Sequence, residues 1–169
     1  MDERVEQAFH EFVVARSVAL QRSAFLLTGD RGEAEDAVQA TLVRVYLAWP
    51  RIVHHGAMEA YARKVLLREV LSWRRKRRVR VLLTGTTPER GGVDNMAAVD
   101  ERDRLQRALL LLPARQRAVV VLRYYDDQTE AQTAELLGIT PGAVKTHASR
   151  GLARLRDALS IDQRETRRS

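Results

Sequence analysis

The sequence of 169 residues contains no cysteine, which excludes disulfide bonds and thiolate metal ligands. Aromatic residues make up only 5% of it, so few rings are available to fill a core. No apolar run approaches the roughly 20 residues that span a bilayer. The N-terminal stretch also lacks the cationic and apolar segments of a signal peptide. These absences predict a protein that stays in the cytoplasm and does not insert into a membrane.

Helical periodicity is present along most of the chain, and no alternating pattern of useful length indicates strands. The first helical pattern runs from Val5 to Leu27. Asp30 and Glu33 have the spacing of a capping box, so a second helix should begin there. That helix should end at Pro50, because proline cannot continue the hydrogen-bond ladder. The chain is therefore predicted to be all-α.

Charge is distributed unevenly within a net charge of +7. Residues 1–50 carry 5 basic and 8 acidic residues, whereas residues 51–82 carry 10 basic and 2 acidic residues. A third predicted helix, from Met58 to Arg77, ends in the contiguous run Arg-Arg-Lys-Arg-Arg at 74–78. Such a run repels itself unless a polyanion neutralises it, as phosphates do with release of counterions. The run indicates contact with nucleic acid, with a solvated face as the alternative.

A linker is predicted at residues 83–93, which are rich in Thr, Gly and Pro and interrupt every periodicity. Helical patterns resume around Asp94 and continue to Leu112. The interruption separates an N-terminal helical part from a C-terminal one. The predicted architecture is two small helical domains joined by a flexible linker.

The C-terminal part, residues 112–159, has the signals of a helix-turn-helix. Thr129 and Gln132 have capping-box spacing before a short helix, which Gly138 should end through a left-handed conformation. Thr140 can cap the next helix, with a proline following at its first position. These signals predict a short helix and a long one joined by a tight turn.

A helix-turn-helix needs a small residue at the crossing, a glycine in the turn and an apolar anchor on the second helix. Ala134, Gly138 and Val144 occupy these places. Outward positions on the second helix then hold polar side chains that can contact base edges and phosphates in a major groove. They are Lys145, Thr146, His147, Ser149 and Arg150. The pattern favours a DNA-reading unit over an ordinary helical hairpin.

Three stretches, in this order, resemble those of extracytoplasmic-function (ECF) sigma factors of bacterial RNA polymerase, in particular the actinobacterial SigE-like group. They are GEAEDAVQATLVRVYLAW, AYARKVLLREVLSWRRKRR and LPARQRAVVVLRYYDDQTEAQTAELLGITPGAVKTHASRGLARLR. The resemblance implies a sigma region 2 domain at 1–80, a linker at 81–99, a region 4 helix-turn-helix domain at 100–160 and a basic tail at 161–169. It also implies a function, which is to bind core RNA polymerase and direct promoter-specific transcription initiation.

The resemblance further implies roles for individual residues. Those that match the stretch docking on the β′ clamp helices of polymerase are Glu35, Asp36, Gln39, Leu42, Val43 and Tyr46. Those that match the part recognising the −10 element and the melted non-template strand are Arg63, Lys64, Arg68, Trp73, Arg74, Arg75, Arg77 and Arg78. Those for the −35 element in duplex DNA are Thr140, Lys145, Thr146, His147, Ser149 and Arg150. The β flap of polymerase is a further implied contact. Many relatives are held by an anti-sigma factor, although no feature of this sequence reveals one.

One position departs from the family pattern. The group usually carries an Asn after three apolar residues of the third helix, where it helps to form the pocket for a flipped base. This sequence has Arg68 there, which is longer and charged, so that pocket chemistry is not carried over. Tyr61 and Trp73 are the aromatic candidates for stacking on a base, but core packing is the favoured role of each.

Two other classes of function are alternatives to a sigma factor. The stretch from Val144 to His147 also resembles LuxR-type helix-turn-helix domains, which would suit a regulator that binds an operator without joining polymerase. The N-terminal 80 residues favour a sigma factor because they resemble sigma region 2. An enzyme would need a catalytic constellation, and none is found, since the carboxylates at 126–127 and the histidines at 54–55 have no partner ligands nearby. No catalytic residue, metal or cofactor is therefore expected.

Overall fold

The computed structural model describes residues 2–85 and 101–167. The chain divides into two compact units, one of Met1–Phe25 with Asp30–Glu89 and one of Leu26–Gly29 with Arg90–Ser169. All regular structure in the described ranges is helical, which confirms the predicted fold class. Most of the predicted linker, residues 86–99, lies outside the described residues.

Three long helices, α1 (Glu3–Thr28), α2 (Arg31–Ile52) and α3 (Met58–Thr84), precede the predicted linker. α2 begins as predicted, because the side chain of its N-cap residue Asp30 accepts a hydrogen bond from the backbone N–H of Glu33 at 2.9 Å. The prediction that α2 ends at Pro50 was wrong. Proline lacks only its own N–H donor, its fixed φ is helical, and the residue is exposed, so the helix continues to Ile52.

The core of the first unit gathers several of the chain's few aromatic rings around Trp49, which is fully buried on α2. Phe9 and Phe12 of α1 pack against the Trp49 ring, each with a centroid distance of 5.3 Å. Tyr61 of α3 joins the same cluster. Tyr61 therefore packs in the core, the role that the sequence favoured over stacking on a base.

α3 is longer than predicted, because it continues through the basic run to Thr84. No glycine or proline interrupts it, and arginine is among the better helix formers. The helix ends where Gly85 adopts a left-handed conformation with φ +64° and donates its N–H to the Val81 carbonyl. The first four residues of the predicted linker, 81–84, are therefore helical.

The C-terminal unit contains α4 (Glu101–Leu110), α5 (Ala114–Val120), α6 (Glu130–Leu137) and α7 (Pro141–Thr166). A π-helical turn, Val121–Tyr125, extends α5. α7 runs past the predicted end near Leu159, so most of the predicted basic tail at 161–169 is helical. Arg104 of α4 and Asp162 of α7 form an ion pair at 2.6 Å, which ties the extension to the unit.

Arg117 on α5 is a buried cation, only 4% exposed, that completes the end of α4. Its guanidinium donates to the carbonyls of Leu109 at 2.7 Å and Leu110 at 3.0 Å, and to Leu112 in the following loop at 2.8 Å. The last carbonyls of a helix have no intrahelical donor and carry the negative end of the helix dipole. One planar guanidinium therefore satisfies several acceptors that burial would otherwise leave unpaired.

We predict that Arg117→Met lowers the free energy of unfolding of the C-terminal unit by about 3 kcal/mol or more, because several buried carbonyls lose their donor. The measurement is hydrogen exchange in the full chain, with the amides of α2 and α3 as the internal reference. Arg115→Met is the matched control, since Arg115 is an exposed residue of the same helix. Equal loss of protection in the two variants would contradict the prediction.

Candidate nucleic-acid and partner interfaces

The residues predicted to begin and end the helices of the helix-turn-helix do so in the structure around its turn. Thr129 accepts a hydrogen bond from the Gln132 N–H at 3.1 Å, and the Gln132 side chain accepts from the Thr129 N–H at 2.9 Å, which completes the capping box. Gly138 ends α6 with φ +64°. Thr140 caps α7 by accepting from the Ala143 N–H at 3.1 Å. The bounds of α6 are those that the sequence predicted.

A small apolar core holds α6 and α7 together. Ala134 and Val144 are both buried in it, which confirms their predicted roles as crossing residue and anchor. Leu137 and Ile139 pack against its edge. Val119 of α5 is also buried in this core. The sequence reasoning missed this contact, because no local sequence signal indicates that α5 packs against α6 and α7.

Gly151 sets how closely α7 approaches α5. An ideal Cβ at this position would lie 2.8 Å from Val120 Cγ2 and 3.4 Å from the Gln116 carbonyl oxygen. Real Cβ atoms do not approach a neighbour at the shorter of these distances, so only glycine fits without a shift. The sequence carried one signal for this contact, a glycine inside a long helical pattern.

Most of the predicted base-reading residues lie on the outer side of the first turns of α7. The exposed ones are Lys145, Thr146, Ser149 and Arg150. His147 differs from the prediction, because it is half-buried and its Nδ1 atom is inaccessible. It lies one turn from the buried anchor Val144, so part of its ring faces the protein. Thr140 is exposed, but its hydroxyl oxygen already caps the helix.

The outer face of α2 combines carboxylates with apolar side chains. Five of the six predicted docking residues, Glu35, Asp36, Gln39, Val43 and Tyr46, are exposed, and the sixth, Leu42, is half-buried. Leu47, which the sequence reasoning missed, is 72% exposed and lies one turn from Val43, which is 59% exposed. The signal for Leu47 was its i+4 spacing from Val43. The two form an apolar patch beside the acidic residues of the same helix.

The predicted −10 residues all lie on α3, but their surroundings differ. Arg68, Arg75 and Arg78 are exposed, whereas Arg63, Lys64, Arg74 and Arg77 are half-buried. Arg63 pairs with Glu59 on its own helix at 3.6 Å, and Arg77 pairs with Glu33 of α2. The side chain of Trp73 lies outside the described residues, so its predicted role as a stacking platform stays a prediction.

The described residues contain neither a metal cluster nor a membrane span. Among residues 2–85 and 101–167, no group of three or more His, Asp or Glu side chains is arranged to hold a metal ion. None of the described helices is long and apolar enough to cross a membrane. The candidate surfaces of the described chain are therefore an acidic and apolar face on α2, a basic face on α3 and a polar face on α7.

Comparison with protein families gives two matches, in the order of the two units. Residues 13–80 match the family Sigma-70 region 2, and residues 102–155 match Sigma-70, region 4. The RNA polymerase sigma-E factor of Streptomyces avermitilis is 36% identical over 151 residues, which cover 89% of this chain and 84% of the relative. The ECF RNA polymerase sigma factor SigL of Mycobacterium tuberculosis is 36% identical over 148 residues, covering 83% of this chain and 82% of the relative.

Two solved structures share the fold. The sigma factor RpoE of Bartonella quintana, in complex with the anti-sigma factor NepR, superposes with a TM-score of 0.79 at 25% identity. The superposition covers 92% of this chain and 99% of RpoE. CnrH, in complex with the cytosolic domain of CnrY, superposes with a TM-score of 0.66 at 22% identity over 93% of this chain and 90% of CnrH.

We predict opposite effects of alanine at two glycines of α7. Gly151→Ala should destabilise the C-terminal unit by about 1–2 kcal/mol, because overpacking against Val120 exceeds the gain in helix propensity. Gly142→Ala, the control, places its Cβ 3.9 Å from the nearest atom outside the helix backbone and should stabilise by up to about 1 kcal/mol. Urea unfolding followed by circular dichroism measures both. Equal stabilisation would mean that the α5–α7 contact tolerates a methyl group.

Proposed function

Because the chain belongs to the sigma-70 family of RNA polymerase sigma factors, we propose that it binds core RNA polymerase and directs promoter-specific transcription initiation through surfaces on two separate units. The observation that carries the proposal is the order of these surfaces along the chain. An acidic and apolar helix is followed by a basic helix in the first unit, and the second unit contains an intact helix-turn-helix. A regulator that binds only an operator would need the second unit alone.

Docking on core polymerase is assigned to the outer face of α2. Its residues are Glu35, Asp36, Gln39, Leu42, Val43 and Tyr46, to which we add Leu47. The apolar patch can bury area against a partner helix, and full burial of one such side chain contributes about 1.5–3 kcal/mol. The neighbouring carboxylates favour a basic partner and fix its orientation. The β′ clamp helices are the proposed partner of this face, and the β flap is a second proposed contact of the chain.

Contact with the −10 element and the melted non-template strand is assigned to α3. Arg68 follows Lys64 by four residues and precedes Arg75 by seven. The three residues therefore lie on one side of the helix, at intervals of about 6 Å and about 10 Å along its axis. Such a row can follow the phosphates of a strand. Arg68 is exposed in this row, which supports a phosphate contact in place of the base pocket formed by Asn in relatives.

Recognition of the −35 element is assigned to α7. Lys145 and Ser149 are one turn apart on its outer side, as are Thr146 and Arg150. Each can donate to base edges or phosphates, and a good bidentate contact to a base discriminates by about 1–3 kcal/mol. His147 is proposed as a partial contact only, because its Nδ1 atom is inaccessible.

The chain is proposed to supply recognition and no chemistry of its own, while polymerase carries out synthesis. We place it in the cytoplasm, where core polymerase and promoter DNA are found. The Bartonella relative is bound by an anti-sigma factor. A protein of that kind is a further proposed partner of this chain.

Run-off transcription tests the proposal. Purified actinobacterial core polymerase is incubated with promoter fragments, with and without the chain. The expected result is transcription from defined start sites only when the chain is present. An operator-binding regulator would bind DNA without binding core polymerase. Absence of both core binding and stimulated start sites would refute the proposal.

We predict that Val43→Asp with Leu47→Asp weakens binding to core polymerase at least tenfold, which corresponds to about 1.4 kcal/mol. Two carboxylates would enter the patch that should become buried. The matched control is Val14→Asp with Val18→Asp, since these valines are also exposed, apolar and one turn apart, but lie on α1. The measurement is affinity for core polymerase by fluorescence anisotropy. Equal weakening by both pairs would contradict the assignment to α2.

We predict that Arg75→Ala with Arg78→Ala flattens the salt dependence of DNA affinity. Each lost phosphate contact reduces the log–log slope by up to about 0.9 for duplex DNA. Arg4→Ala with Arg22→Ala is the control, because it removes the same charge from exposed positions of α1. The measurement is affinity for a labelled duplex across a series of salt concentrations. An unchanged slope in the α3 variant would mean that the basic run is a solvated face.

A further inference from the structure

One member of the basic run differs from its neighbours, because a carboxylate of another helix holds it. The Arg77 guanidinium pairs with Glu33 Oε1, although 44 residues separate the two in sequence. Both side chains are about a quarter exposed, at 27% for Arg77 and 23% for Glu33. Lys76 and Arg78, on either side of Arg77 in the sequence, are exposed. The position of Arg77 is therefore set by the contact between α2 and α3.

The geometry of α2 keeps Glu33 in place as the partner. Its backbone N–H donates to the cap residue Asp30, which fixes the first turn of the helix. A negative side chain in the first turn also interacts favourably with the positive end of the helix dipole. Partial burial lowers the effective dielectric constant around the pair, so its attraction exceeds that of a fully exposed pair.

This pairing changes what Arg77 can contribute to DNA binding. An exposed arginine that meets a phosphate gains an ionic partner and releases a condensed counterion. Arg77 must exchange one anionic partner for another, so the gain from the phosphate is offset by the lost contact with Glu33. Arg75 and Arg78 are exposed and do not bear this cost in the described structure.

We propose that Glu33 is a positioning residue that restrains Arg77 and thereby lowers the affinity of the free chain for DNA phosphates. The inference rests on the proposed function, because it assumes that the basic face of α3 binds DNA. It assigns Glu33 a role separate from that of Glu35 and Asp36, the proposed docking residues of the same helix. The restraint acts on affinity for any sequence, since the contact it limits is with the backbone.

A double-mutant cycle in the full chain tests the proposal. The chains are the wild type, Glu33→Gln, Arg77→Ala and the double variant. The probe is a labelled double-stranded oligonucleotide of arbitrary sequence, and affinity is measured across a series of salt concentrations. Glu33→Gln should raise affinity at low salt and steepen the log–log slope by up to about 0.9, equivalent to one additional phosphate contact. Arg77→Ala alone should change affinity far less than Arg75→Ala.

The cycle separates release of Arg77 from the general effect of removing a negative charge. That general effect raises affinity equally whether Arg77 is present or absent. The restraint predicts that most of the gain from Glu33→Gln disappears in the Arg77→Ala background. An equal gain in both backgrounds, or no gain in either, overturns the proposal.

Control experiments separate the role of Glu33 from effects on folding and from failure of the proposed function. Loss of the ion pair could destabilise the first unit, but a partly unfolded variant would lose DNA affinity, which is opposite to the expected change. Circular dichroism of each variant verifies the helical content. If the wild type supports run-off transcription and the cycle shows no coupling, only the role of Glu33 fails. If the wild type fails with core polymerase, the proposed function fails independently of the cycle.

Discussion

The backbone groups at the ends of helices impose the constraint on which the other features of this fold depend. A helical chain leaves N–H groups unpaired at one end of each helix and carbonyls unpaired at the other. At several of the described ends side chains provide the partners, with Asp30 before α2, Thr129 before α6 and Thr140 before α7. Arg117 does the same for the carbonyls that end α4. These caps fix where α2 and α7 start, and the burial of their apolar side chains then determines which residues face outward.

Local chemistry explains why some elements could be predicted closely. Thr129 and Gly138 lie immediately outside α6, so both of its ends could be identified within a few residues of sequence. The predicted end of α2 was wrong because Pro50 removes one hydrogen-bond donor without forcing the backbone out of the helical region. The predicted end of α3 was wrong because a helix can continue where its apolar periodicity stops. Exposed arginines sustain a helix until Gly85 offers a left-handed exit.

Contacts between distant helices could not be predicted from one sequence. Burial of Arg117 depends on α4 ending beside α5, and the requirement for glycine at 151 depends on Val120 lying across from it. Counting charges has the same limit, because the count gives the net charge of a basic run but does not show which carboxylate pairs with each cation. The sequence predicted Arg75 and Arg77 as equivalent contacts, whereas the fold places Arg77 against a carboxylate and leaves Arg75 exposed.

The proposed interfaces differ in physical character, so added salt should affect binding to polymerase and binding to DNA differently. The patch of Val43 and Leu47 can bind by burying apolar area, an interaction that added salt does not weaken. The proposed contacts of the basic face of α3 are with phosphates, so its affinity for DNA would fall steeply with salt. Within one unit, rising salt would therefore release DNA before it releases polymerase. Under the proposed restraint of Arg77 by Glu33, the free chain has a lower affinity for DNA, so it would join polymerase first through its proposed docking face and engage DNA once polymerase brings the promoter near.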